Sequence, residues 1–157
     1  MTLHEISLVV NGTREFAQVA PNVTLLTLLR EHLGVTGVKN GCATGECGAC
    51  TVLMNGEPVN ACLVLAVEVD GAEIITVEGL APSSDHLDPL QQYFVEHSGT
   101  QCGFCTPGVL ISARALLDRN PHPSREEILD SLRGNLCRCT GYLAIVRAIE
   151  ATAAGGD

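Results

Sequence analysis

The sequence predicts an α+β fold in two unequal styles, a strand-rich N-terminal half and a helical C-terminal half. Three observations point there. Hydrophobic alternation punctuated by Asn-Gly pairs fills the first half. An apolar period of about 3.6 residues fills the second. Between them lies GLAPSSDHLDP, rich in Pro, Ser, Gly and Asp. The expected division is residues 1–78, a linker at 79–89, and a helical domain at 90–157.

In order, LHEISLVVNG and TREFAQVA read as a hairpin, with Asn11-Gly12 supplying the positive backbone dihedrals of a tight turn. VTLLTLLREHLGVTG follows, placing Leu25, Leu26, Leu29 and Leu33 on one helical face, with Gly34 or Gly37 to end the helix. After the loop NGCATGECGAC, the run TVLMNGEPVNACLVLAV reads as a second hairpin around Asn55-Gly56, and AEIITVEG as a further strand. Past the linker come four helical segments, Asp88 to Glu96, Pro107 to Arg119, Ser124 to Arg133 and Tyr142 to Ala153, forming a small bundle. Pro107 suits a first helical position and Ser124 with Glu127 spells a capping box. Leu143, Ile145, Val146 and Ile149 give the last segment its apolar face, and the tail ATAAGGD is expected to fray. No internal repeat is evident.

Composition excludes several classes of function. A formal charge of −9, with Lys39 the single lysine and eight scattered arginines, opposes a nucleic-acid surface. Aromatics at 3% suggest neither a base-stacking platform nor an aromatic-lined pocket. No apolar run approaches the roughly 20 residues that span a bilayer, and the N-terminus lacks an export signal, so a cytoplasmic chain is expected. The residue in excess is cysteine, of which there are eight. Without export, that count points to metal or redox chemistry rather than a disulfide scaffold.

Cys42, Cys47, Cys50 and Cys62 form a C-x4-C-x2-C-x11-C series, and the first three match the plant-type spacing for a [2Fe-2S] cluster. Gly41, Gly45 and Gly48 would let backbone N–H groups approach the cluster sulfurs. Cys62, beyond a hairpin, is expected to come from a neighbouring strand. Four thiolates also satisfy zinc, but structural zinc sites pair short knuckles, whereas here three cysteines share one loop. In the second half, Cys102 and Cys105 sit in TQCGFCTPG, and Cys137 and Cys139 in NLCRCTGY. Taken alone, the first motif fits a redox pair and the second a zinc or labile thiol pair. A second [2Fe-2S] cluster uses all four, and requires the two loops to meet at one end of the bundle.

Four signatures, GCATGECGACTV, VNACL, TQCGFCTPG and GNLCRCTGY, recur in the order seen in the iron–sulfur small subunits of the molybdenum hydroxylases, the xanthine oxidase and carbon monoxide dehydrogenase family, which the chain resembles from Leu3 to about Glu150. The resemblance implies a β-grasp, plant-ferredoxin-like N-terminal domain and a four-helix-bundle C-terminal domain, each with one [2Fe-2S] cluster. It implies a large partner subunit holding molybdopterin near the second cluster, a medium FAD subunit near the first, separate chains for these modules, and a dimer of heterotrimers. By the same resemblance Gln101 bonds the pterin and Cys139 is the ligand on the molybdopterin side.

The reading is therefore an electron-transfer subunit with no catalytic residue of its own, serving an oxidoreductase that acts on an aldehyde, an N-heterocycle or a similar small molecule. TQCGFCTPG and NPHPSREEILDSLRGNLCRCTGY are also close to a type resembling 4-hydroxybenzoyl-CoA reductase, in which the relay runs in reverse. From other classes, the alternatives are a zinc-stabilised interaction module and a free-standing ferredoxin, the latter disfavoured by the second domain. His4, His32, His86, His97 and His122 are isolated in sequence and are read as surface or packing residues. Arg138 and Lys39 are placed in solvent or beside a cluster, Glu46 as a tuning charge at most, and Tyr142 and Phe104 as packing residues.

Overall fold

The computed structural model describes residues 2–83 and 85–155. Ser84 of the expected linker and Gly156 and Asp157 of the expected tail lie outside the described residues.

Strands β1 (His4–Val10) and β2 (Thr13–Val19) pair antiparallel across Asn11 (φ 50°) and Gly12 (φ 81°), the turn the Asn-Gly pair predicts. β3 (Thr51–Met54) and β4 (Glu57–Asn60) repeat the device at Asn55 and Gly56. β5 (Glu73–Ile75) then inserts between the two hairpins, parallel to β1 and antiparallel to β3, in the sheet order β2-β1-β5-β3-β4. The Asn11 carboxamide fixes the end of β5 by accepting from the Thr76 N–H (2.8 Å) and donating to its hydroxyl (2.9 Å).

The second hairpin is shorter than the sequence reading, ending at Asn60 rather than running on through CLVLAV. Helix α1 (Leu25–Thr27) explains this. The first N–H groups of a helix have no partners within it, and those of Leu25 and Leu26 take the carbonyls of Val64 (2.8 Å) and Ala61 (3.0 Å). The segment after β4 is thus diverted from the sheet to the helix start, and Cys62 lies in that turn, not on a strand. α1 also departs from a regular helix, widening into a π-helical turn at Leu28–His32 that the Leu33 N–H closes onto the Leu28 carbonyl. Leu25, Leu26, Leu28 and Leu29 are all buried against the sheet.

The helical half contains α2 (Pro89–Glu96), α3 (Thr106–Arg119), α4 (Arg125–Ser131) and α5 (Leu143–Ala154). Asp88 and Ser124 cap α2 and α4 through capping boxes. The tail does not fray where expected, since α5 stays helical through Ala154 and Ala153 packs on the core. α3 is the spine: Val109, Leu110, Ala113 and Leu117 face the other helices around Phe94 and Ile149, while Ile111 and Ala115 pack on Leu53 of β3. The chain therefore has two cores, one under the sheet and one in the bundle, joined by a small third cluster at α3. No helix among the described residues is long and apolar enough to cross a membrane.

Candidate metal centres

The first cysteine loop is held from outside before it is shaped from within. Arg30, at the wide turn after α1, donates to the carbonyls of Thr36 (3.0 Å) and Val38 (2.7 Å), and the Lys39 N–H reaches the Ala49 carbonyl (3.2 Å). Inside the loop, Cys42 Sγ accepts the N–H groups of Thr44, Glu46 and Cys47, each at 3.4 Å. The Thr44 hydroxyl and these amides hold the Cys42 thiol down at about 6. The donors seen are thus not the glycines' own amides. What the glycines supply is room and handedness: a Cβ on Gly41 would sit 2.7 Å from Cys47 Sγ, and Gly45 and Gly48 both have positive φ. Across the loop, buried Cys50 meets Cys62, and burial, with the Cys62 thiol, outweighs the Cys62 backbone N–H and raises the Cys50 thiol to about 11.

The second site is assembled from the start of α3 and the loop before α5. The Cys105 thiol lies against that of Cys137, and the Cys139 thiol against that of Cys102. Burial, then the partner thiol, pushes Cys105 up to about 12. For Cys137, burial acts upward but is outweighed by the Thr140 hydroxyl and the amides of Thr140 and Cys139, leaving it at about 7. Cys139 is raised by its bond with Cys102. The two loops do meet at one end of the bundle, as a shared site requires.

All eight cysteines are free thiols. In the first set the Cys47 N–H donates to Cys42 Sγ and the Cys50 thiol lies against Cys62; in the second, Cys102 lies against Cys139 and Cys105 against Cys137. Among the described residues, no three of His, Cys, Asp or Glu converge as ligands of one ion. Four thiols on one site supply the two thiolates per iron that a [2Fe-2S] core demands. The donor chemistry fits: all thiols, with amide and hydroxyl donors aimed at sulfur. Binding would strip the remaining thiol protons.

The two sites are laced together through residues that sequence reasoning passed over. The Leu136 N–H donates to the Cys47 carbonyl (2.9 Å), so one hydrogen bond and otherwise covalent bonds connect a cysteine of each set. Asn135, buried beside it, donates to the Gly48 carbonyl (3.1 Å) and accepts from the Ser112 hydroxyl (2.7 Å). A Cβ on Gly48 would lie 2.0 Å from the Gly134 carbonyl oxygen, and one on Gly108 2.1 Å from that of Gly48. Tyr142, expected only to pack, adds a second function: its hydroxyl donates to the Asn135 carbonyl (2.9 Å) and accepts the Cys137 N–H (2.8 Å). One signal for this hub was available, the polar Ser112 directly after the apolar run Val109–Ile111 of α3.

Of the remaining expected site residues, Gln101, Cys102 and Cys139 are exposed, with exposed Phe104, Leu136 and Leu143 next to them in sequence. The five histidines are exposed, as are Glu46 and Arg138. Lys39 is half-buried, its ammonium donating to the Thr36 carbonyl.

Two domain families match the chain. A 2Fe-2S iron–sulfur cluster binding domain covers residues 8–81 and a [2Fe-2S] binding domain covers residues 76–150. The nicotinate dehydrogenase small FeS subunit of Eubacterium barkeri is 51% identical over 92% of both chains. The nicotine 6-hydroxylase small subunit of Paenarthrobacter nicotinovorans is 50% identical over 92% of this chain and 87% of its own. Among solved structures, quinoline 2-oxidoreductase from Pseudomonas putida 86 superimposes with a TM-score of 0.94 at 47% identity, covering 98% of this chain and 96% of that one.

Proposed function

The chain belongs to the [2Fe-2S] small subunits of the molybdenum hydroxylases, and from that membership we propose that it relays electrons through two clusters between a molybdopterin subunit and an FAD subunit. Cys42, Cys47, Cys50 and Cys62 hold the first cluster, and Cys102, Cys105, Cys137 and Cys139 the second. When bound, each cluster accepts and gives up one electron at a time. The chain's own residues hold the two sulfur sets in register. The observation that carries the relay is the Leu136 N–H bond to the Cys47 carbonyl, which connects a cysteine of the first set to the residue before Cys137 of the second.

The division into a domain at 1–78, a linker at 79–89 and a domain at 90–157 is kept on the same footing, supported by the separate cores. Docking to the molybdopterin subunit uses the exposed end carrying Gln101, Cys139, Phe104, Leu136 and Leu143, with Gln101 meeting the pterin. Docking to the FAD subunit uses the first loop, where exposed Leu63 lies over Gly45. An N-heterocyclic substrate is favoured, because nicotinate, nicotine and quinoline appear in the names of three similar proteins. The same names denote dehydrogenation, hydroxylation and oxidoreduction, which supports flow from substrate toward FAD.

The test is metal analysis and stopped-flow spectroscopy of the native complex. About four irons per small chain are expected, with cluster bleaching when an N-heterocycle is added anaerobically. About two zincs per chain and no visible absorption would overturn the relay. Bleaching by an aldehyde alone would overturn the substrate class.

A further inference from the structure

The loop carrying Cys137 and Cys139 has a hydroxyl whose direction the chemistry fixes. Thr140 Oγ1 lies 3.2 Å from Cys137 Sγ and accepts the Tyr142 N–H, also at 3.2 Å. A metal-bound cysteine is a thiolate and has no proton to give, so the hydroxyl must donate to the sulfur. Its position is fixed from both sides. Gly141 and Tyr142 have positive φ (60° and 66°), and a left-handed tyrosine persists only where its surroundings impose it. Here the Tyr142 hydroxyl provides that constraint by gripping the loop at the Asn135 carbonyl and the Cys137 N–H.

The first site has its own donors: Cys42 takes three backbone amides and the Thr44 hydroxyl, none of which belongs to the loop of Thr140. In the second site one side-chain hydroxyl reaches the sulfur of a half-buried cysteine. A hydrogen bond to a ligand sulfur stabilises the more negative, reduced state and raises the potential.

Resting on the relay reading, we propose that Thr140 is a positioning residue for electron transfer, whose hydroxyl sets the reduction potential of the second cluster independently of the first. It thereby sets how an electron is shared between the two. The donor acts through Cys137.

The experiment is a redox titration of the native complex followed by EPR, in wild type, Thr140→Val and Thr140→Ser, with iron measured in each. In the valine variant one of the two cluster midpoints should fall, shifting electron sharing about tenfold toward the other cluster, ~59 mV for one electron. The other midpoint should stay, and serine should restore the first. Two unmoved midpoints with full iron in Thr140→Val would overturn the proposal, as would both moving together. If valine costs iron, Thr140→Ala, which removes the hydroxyl and adds no bulk, is read the same way. Iron loss in both would also overturn it, because the hydroxyl would then be holding the loop rather than setting a potential. A wild type without iron fails the relay reading instead, and metal analysis detects that before any titration begins.

Discussion

Asn135 concentrates more of this molecule's organisation than any cysteine. Its carboxamide is buried, and both ends are used: the nitrogen donates to the Gly48 carbonyl and the oxygen accepts from Ser112. Asn135→Asp keeps the shape but removes the donor and places a carboxylate against a carbonyl. Leaving buried groups unpaired costs about 1–3 kcal/mol, more for a charge. Urea unfolding should show at least that loss, and Asn135→Ala a loss within it. Gly48 presents a harder limit, because its φ is 70° and a methyl group there would meet the Gly134 carbonyl oxygen at 2.0 Å, backbone against backbone. Gly48→Ala should therefore yield a chain that retains little iron, measured against protein concentration. The eight cysteines were legible because thiol spacing has few other uses. Asn135 was not, because an asparagine in a loop is ordinarily solvated, and only the fold reveals that three segments close over it.

Among the elements, those with a local chemical signature were legible. Asn-Gly turns impose their own handedness, and Asp88 and Ser124 announce their helices. The element misread was one whose form depends on a distant neighbour: the chain leaves the sheet after Asn60 because helix start and strand end satisfy one another. The cap of α4 supports a direct test. Ser124→Ala should cost about 1 kcal/mol of stability. Glu127 accepts the Ser124 N–H (2.7 Å), which, with the Ser124 hydroxyl and Asn120, holds its carboxyl below the usual range. A carboxyl depressed on folding stabilises above its unfolded value of about 4.3 and loses that contribution as pH falls through its folded value. Glu127→Gln should thus melt below wild type at pH 7, and the two melting temperatures should converge on acidification below the folded value.

For the whole molecule, the question is why two cores with separate cysteine sets behave as one body. α3 answers it, because its two faces serve both: Val109 and Ala113 lie in the bundle core, while Ile111 and Ala115 rest on Leu53 of the sheet. At its N-terminal end, Gly108 admits the Gly48 carbonyl, and Ser112 binds Asn135. The apolar contact and the polar latch lie on one helix, so loosening either should uncouple the cysteine loops without emptying either core. Ile111 is fully buried at that junction, and truncating such a side chain to alanine costs about 2–5 kcal/mol through lost burial and the cavity left behind. Hydrogen exchange followed by mass spectrometry on the intact complex reads the consequence. In wild type, peptides from β3 and from α5 should lose protection together as urea rises. In Ile111→Ala they should separate, each half retaining its own core while the Leu136 amide, which links Cys47 to the second loop, exchanges early. If the two halves still opened together, the coupling would have to reside in the Asn135 latch alone, and Asn135→Asp would then be the variant that divides them.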